Sequence, residues 1–184
     1  MFIVLEGIDI KGNTVLSSIL NKRTPNSVAL KENSDLALEM IKNPENAVEI
    51  FERLCEERVK LSNKIKEYLN SGKIVILDRY FPSSICCQIE VCRERGFDCK
   101  ELVKVYQKYY PKWLKPDLVL ILNTDLETCI KGIREMGYQQ VDESILKKVK
   151  KCYDSLADLM DNVYYIKDEK DAFSIIRNTK SVKA

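Results

Sequence analysis

The chain has 184 residues and no histidine. That removes a Ser-His-Asp triad, a Cys-His dyad, a His-ligated metal and an imidazole general base. Any chemistry must run on carboxylates, lysines, arginines, backbone amides or a borrowed metal ion. Glycine and proline are scarce, at 6 and 5 residues, which excludes collagen-like, linker-like and disordered chains. Seven cysteines are present (Cys55, Cys86, Cys87, Cys92, Cys99, Cys129 and Cys152), but no C-x-x-C pair, so zinc-ribbon and thioredoxin spacings are missing. No apolar run approaches the roughly 18 residues that span a bilayer. The opening MFIVLEGIDI lacks the basic stretch of a signal peptide. Charge of one sign is also missing. The 30 basic and 28 acidic residues leave +2, too balanced to argue for nucleic acid or a membrane surface as partner. The expectation is a cytoplasmic protein with reduced thiols, most of them small core residues. The rival is a metal module in which Cys86, Cys87, Cys92 and Cys99 converge.

Hydrophobic residues make up 45% of the chain, enough for a core of ordinary size in one domain over 1–184. Phe2–Glu6, Lys73–Leu77 and Leu118–Leu122 are short apolar runs rich in Val, Ile and Leu, as expected of parallel strands covered on both faces. Val28–Leu30 and Val163–Ile166 read as weaker strands. Helical patterns lie between them, over Thr14–Lys22, Asp35–Ile41, Ala47–Leu69, Ser83–Arg95, Lys100–Lys108, Leu126–Met136, Glu143–Met160 and Lys170–Asn178. The last residues, NTKSVKA, read as a frayed tail. Strand and helix alternate throughout. This predicts an α/β fold, a three-layer αβα doubly wound parallel sheet of about five strands.

Directly after the first strand comes Gly7-Ile8-Asp9-Ile10-Lys11-Gly12-Asn13-Thr14. A phosphate-binding loop reads G-x-x-x-x-G-K-S/T between strand and helix. Gly7, Gly12 and Thr14 fit. Backbone amides and a helix N-terminus offer positive potential to a phosphate, and the Thr14 hydroxyl suits Mg²⁺. Asn13 stands where the lysine belongs and is too short and uncharged to replace it. Lys11 is the nearest cation that could turn into the loop.

FIVLEGIDIKGNT resembles the opening of thymidylate kinases, FIxxEGxDGxGKTT. IVILDRYFPSSICCQ is similar to that family's strand followed by D-R-Y/H and a helix with S-S and Q. KPDLVLILNTD is similar to its PDL strand, and LCEER to its F-x-x-D/N-R helix. The four blocks keep order and rough spacing over about residues 1–165. The resemblance implies a P-loop NTPase fold and phosphoryl transfer from ATP, with Mg²⁺, to dTMP or a related nucleoside monophosphate. It also implies a homodimer. It gives Asp9 to the acceptor-facing loop, and Arg58 and Arg79 to the acceptor phosphate. Asp78 falls near Mg²⁺ and the phosphates. Ser83, Ser84, Gln88, Leu54 and Glu32 fall to the acceptor pocket, with Gln88 near the base.

Departures from the family pattern concentrate on the ATP side. Ile10 replaces a loop glycine, which would be strained if that position needs positive φ. Asn13 replaces the lysine, Lys31 an arginine, Leu54 a phenylalanine and Asn123 an aspartate. The lid segment, about 134–142, offers only Arg134 against the donor phosphates, and Gln140-Val141-Asp142 fills the R-F-E positions. Three readings stay open: a working kinase with Lys11 or another cation compensating, an impaired relative that binds nucleotide without turnover, and a phosphotransferase with another acceptor.

Overall fold

In the computed structural model, residues 1–135, 137, 142–156, 160 and 162–183 are described. The side chains of Ile10, Ser34, Leu38, Ile41, Lys42, Pro44 and 180–183 lie outside the description. The chain runs β1 (Phe2–Glu6), α1 (Ile10–Arg23), β2 (Ser27–Lys31), α2 (Ser34–Lys42), α3 (Ala47–Asn70) and β3 (Ile74–Asp78). Next come α4 (Phe81–Ser83), a π-helical turn (Ser84–Ile89), α5 (Glu90–Glu94), α6 (Lys100–Tyr109) and β4 (Leu118–Leu122). The chain closes with α7 (Leu126–Glu135), α8 (Glu143–Leu156), β5 (Val163–Ile166) and α9 (Glu169–Lys183).

The five strands pair in parallel in the order β2-β3-β1-β4-β5. Alternate side chains of each central strand enter different cores, as a pleated strand requires. Phe2, Val4, Val75, Leu77, Val119 and Ile121 pack with Phe51, Leu54 and Ile65 of α3, Leu102 of α6 and Val149 of α8. Ile3, Leu5, Ile76, Leu118 and Leu120 pack with Leu16 and Leu20 of α1 and Ala172 and Ile176 of α9. Burial on both faces is why these strands read as continuous apolar runs. The α/β expectation is borne out. The chain leaves β1 toward β2 on one side and crosses to β4 on the other, so a crevice opens at the carboxyl ends of β1 and β3, where open α/β sheets bind ligands.

Four differences from expectation bear on the site or the core. α1 starts at Ile10, not Thr14, because Asp9 caps it and adds a turn. The last strand residue of β3 is Asp78, which pairs with Leu5 and Lys31. Of the supposed tail, residues 178–183 continue α9, the helix that buried Ala172 and Ile176 anchor. The helix expected over Ser83–Arg95 is interrupted by the π turn, which re-aims successive side chains.

Gly7 is the hinge between β1 and the crevice. It sits at φ +132°, and a Cβ there would lie 2.7 Å from the Leu122 carbonyl oxygen of β4. Both the conformation and the space demand glycine. Gly7→Ala should cost about 1–3 kcal/mol. Calorimetry should show this as a Tm loss of about 2–4 °C per kcal/mol for a chain of this size; an unchanged Tm would mean β4 yields freely.

Candidate active site

The loop after β1 is wound more tightly than its sequence suggests. The Asp9 carboxylate accepts the Gly12 amide at 2.7 Å, its backbone carbonyl accepts the Asn13 amide at 3.2 Å, and Thr124 donates to its Oδ2 at 3.3 Å. Asp9 is therefore the N-cap of α1, and its negative charge sits where a helix N-terminus would hold a phosphate. Asp9 thus has a capping role in the loop beside the one that the resemblance implies. Ile10 is helical, so the strain anticipated at positive φ does not arise. Gly12 leaves no room for a side chain: a Cβ would lie 2.7 Å from Leu122 Cδ2.

Lys11 does not turn into the loop. Its Nζ lies 3.1 Å from Glu135 Oε2 at the end of α7, and both side chains are about half exposed. A lysine in the first turn of a surface helix keeps its ammonium hydrated at little cost. Asn13 is fully buried instead, and neither Oδ1 nor Nδ2 has a hydrogen-bond partner. One residue on, the Thr14 hydroxyl donates to Asp78 Oδ2 at 2.7 Å. Asp78 Oδ1 is buried and unpartnered. A hydroxyl and a carboxylate held together at the loop are hard oxygen donors, the set that suits Mg²⁺ bound partly through substrate phosphates.

Arg79 follows Asp78 at φ +69°, an uncommon conformation for a non-glycine residue and one concentrated at functional sites. Its amide donates to the Leu5 carbonyl at 3.0 Å, and its guanidinium reaches the Gly7 carbonyl at 3.1 Å and Ser83 Oγ at 3.2 Å. Beside it lies Glu6, fully buried at the end of β1. Glu6 accepts from the Tyr80 amide at 2.8 Å, Ser83 Oγ at 2.6 Å and Tyr153 Oη at 2.9 Å. Burial pushes its carboxyl up to about 7, against the opposing pull of Arg79 and these hydrogen bonds. Glu6 and Tyr153 escaped the sequence reading. Glu6 looked like the last residue of a strand, and Tyr153 like one more apolar position on an amphipathic helix.

A second buried arginine holds the opposite side. Arg58 Nε lies 2.5 Å from Glu32 Oε1, and its NH1 donates to Ser84 Oγ at 2.8 Å. Its guanidinium carbon stands 4.7 Å from the Trp113 ring centroid and 5.6 Å from that of Tyr80. Its NH2 has no partner, and neither does Gln88 Oε1. Arg58, Glu32 and Ser84 are thus brought together as expected, but Arg58 is committed to Glu32 and keeps one nitrogen free. Leu54 is core on α3, with 1% exposure. Ser83 belongs to the Glu6–Arg79 cluster. Arg134 is exposed on the last turn of α7. Of the lid expected over 134–142, residues 136 and 138–141, Gln140 and Val141 included, lie outside the described residues.

Five buried side-chain atoms lack a partner among the described residues: Asn13 Oδ1 and Nδ2, Asp78 Oδ1, Arg58 NH2 and Gln88 Oε1. All four residues had been named from the sequence alone. A buried polar group left unpaired costs about 1–3 kcal/mol, so each of these atoms is a place where a polar ligand would bring a missing partner. Among the described residues, no group of three or more His, Cys, Asp or Glu side chains could hold a metal, so the rival cysteine module is not formed. No helix among them is long and apolar enough to cross a membrane.

Comparison with known proteins adds the following. The family model for thymidylate kinase matches residues 5–178. A probable thymidylate kinase of Archaeoglobus fulgidus is 30% identical over 171 residues, covering 86% of this chain and 83% of that protein. The thymidylate kinase of Brachyspira hyodysenteriae is 29% identical, covering 96% and 91%. Among solved structures, thymidylate kinase from Candida albicans superposes with a TM-score of 0.69 at 21% identity, covering 99% of this chain and 91% of that one. Deoxyadenosine kinase from M. mycoides also gives 0.69, at 17% identity, covering 99% and 100%. These two structural likenesses speak for the fold.

The raised Glu6 carboxyl has a consequence for stability. The folded protein holds this proton up to about pH 7, whereas the unfolded chain releases it near 4.5. The Glu6 contribution is therefore full below the unfolded value and is lost as pH rises through about 7. Relative to Glu6→Gln, the wild type should lose on the order of 3 kcal/mol across that window, at about 1.4 kcal/mol per unit. Urea unfolding at several pH values measures it; a difference that stays constant with pH would mean Glu6 is ionised throughout.

Proposed function

The chain belongs to the thymidylate kinase family, and from that premise we propose that it transfers the γ-phosphoryl group of ATP to dTMP or a related nucleoside monophosphate. The observation that carries the reading is the set of buried unpartnered atoms on Asn13, Asp78, Arg58 and Gln88. A nucleotide with its Mg²⁺ would supply partners of the right kind: phosphate oxygens for the donors Asn13 Nδ2 and Arg58 NH2, a base N–H for the acceptor Gln88 Oε1, and the cation for Asp78 Oδ1.

Phosphoryl transfer asks the protein for in-line positioning and cancellation of charge on the transferred group. Arg79 is held by Gly7 and Ser83 at the strand ends, so its guanidinium needs little reordering to meet an acceptor phosphate. Thr14 and Asp78 would hold Mg²⁺, which supplies charge neutralisation at the transferred phosphoryl. Arg134 would approach the donor phosphates from the lid. Homodimerisation remains part of the proposal.

A second reading has its own support. The Asp9 carboxylate caps the helix where a phosphate would bind, Asn13 brings no charge, and Lys11 is engaged with Glu135. Loss of a single arginine finger can remove roughly 10³–10⁵ in rate, so these departures favour a nucleotide binder with little turnover.

An ADP-release assay with a panel of nucleoside monophosphates decides between them. The kinase reading predicts turnover with dTMP below the ordinary range of about 1–100 s⁻¹. Asn13→Lys should raise it by about 10², as expected of one well-placed charge in the transition state. No ADP release from either protein, with dTMP still bound by calorimetry, would leave the non-catalytic binder standing.

A further inference from the structure

Seven cysteines in a histidine-free chain invite a closer look at which of them meet. Cys55, Cys92 and Cys129 are buried core thiols, and Cys99 donates to the carbonyls of Ile89 and Phe97. Cys86 and Cys152 are different. They are 66 residues apart in sequence, on the π turn and on α8, yet their sulfurs lie 2.6 Å apart. That is far inside ordinary non-bonded contact and approaches the roughly 2.05 Å of a disulfide. Both are free thiols.

The surroundings divide the roles. Cys86 is fully buried, while Cys152 is partly exposed on α8. The Cys86 thiol donates to Cys152, which favours a thiolate at Cys152 and holds its proton affinity below the ordinary thiol value. Cys87, next to Cys86, turns away toward Tyr153 Oη at 3.4 Å and Arg79. The residue after Cys152 is Tyr153, whose hydroxyl bonds Glu6 and Ser83 and lies 3.5 Å from Arg79 NH1. The crevice between Gly7, Thr124 and Tyr153 holds only about 10 Å³, room for a single water. Tyr153 therefore stands directly against the Arg79 guanidinium on the α8 side.

We propose that Cys86 and Cys152 form a peroxide-responsive thiol pair whose disulfide clamps α8 onto the π turn and keeps Tyr153 in front of Arg79. The Cys152 thiolate attacks a hydroperoxide oxygen; an S–O bond forms, the O–O bond breaks, and hydroxide (or alkoxide) leaves. The Cys86 sulfur then attacks the resulting sulfenic acid. The S–S bond forms, the S–O bond breaks, and water departs with the Cys86 proton. Two thiols lose two electrons and the hydroperoxide gains them. A dithiol reductant reverses the step by exchange.

The pairing is independent of the kinase reading; only its effect on turnover rests on it. The full chain, reduced and then freed of reductant, is treated with hydrogen peroxide. Thiol titration in denaturant and tryptic mapping without reductant follow. The expected result is loss of two of the seven thiols and a link between peptides 80–93 and 152–167. The link should persist in Cys87→Ser and vanish in Cys86→Ser and in Cys152→Ser. No link, or one that survives Cys86→Ser, would overturn the pairing. Where the reduced protein turns over, oxidation should abolish ADP release, dithiothreitol should restore it, and Cys152→Ser should be insensitive. A linked protein with undiminished turnover would overturn the clamp while leaving the kinase reading intact.

Discussion

A carboxyl group at the end of an all-apolar strand fixes much of this molecule. Glu6 has no access to water, and its two oxygens are satisfied by the Tyr80 amide, Ser83 and Tyr153. Those partners come from the turn after β3, from α4 and from α8. Leaving a buried carboxyl unpaired is costly enough that the three segments are held at the mouth of β1. Arg79 completes the cluster by spanning Gly7 and Ser83. The crevice is therefore built around a buried carboxyl beside a guanidinium, and the guanidinium that would meet an acceptor phosphate is held in place before any ligand arrives.

The two sides of the crevice are unequal. On the side proposed for the acceptor, Arg58 and Gln88 keep polar atoms free in a setting otherwise saturated by Glu32, Ser84, Trp113 and Tyr80. On the side proposed for the donor, the helix N-terminus already has an anion, the Asp9 carboxylate. A phosphate entering there competes with a covalently tethered rival and finds no lysine to help it. The imbalance agrees with the departures at Ile10, Asn13 and the lid, whereas those at Lys31 and Leu54 fall on the other side.

Legibility in the sequence followed locality. β1, β3 and β4 were readable because burial on both faces leaves continuous apolar runs, and Asp78-Arg79 because it follows one directly. α1 began four residues early because its cap, Asp9, was masked inside the loop motif. Lys11 could be named but not aimed, since its partner Glu135 lies 124 residues away. The Arg58–Glu32 pair, the reach of Tyr153 to Glu6 and the Cys86–Cys152 contact are long-range products of the fold that no local pattern encodes. The end of α9 reads as a tail for a related reason: its composition is polar, and the helix it continues is anchored upstream by Ala172 and Ile176 packed in the core.

The central claim is that the buried unpartnered atoms at the crevice are completed by a nucleotide. Differential scanning calorimetry with increasing dTMP tests it without requiring turnover. A ligand that binds only the folded chain at a hundredfold excess over its Kd adds about 2.7 kcal/mol, a Tm rise of about 5–11 °C for this chain length. Gln88→Leu removes one unpartnered oxygen, so it should melt no lower than the wild type alone yet need more dTMP for the same rise. A wild-type Tm that stays flat across dTMP and related monophosphates would contradict the account.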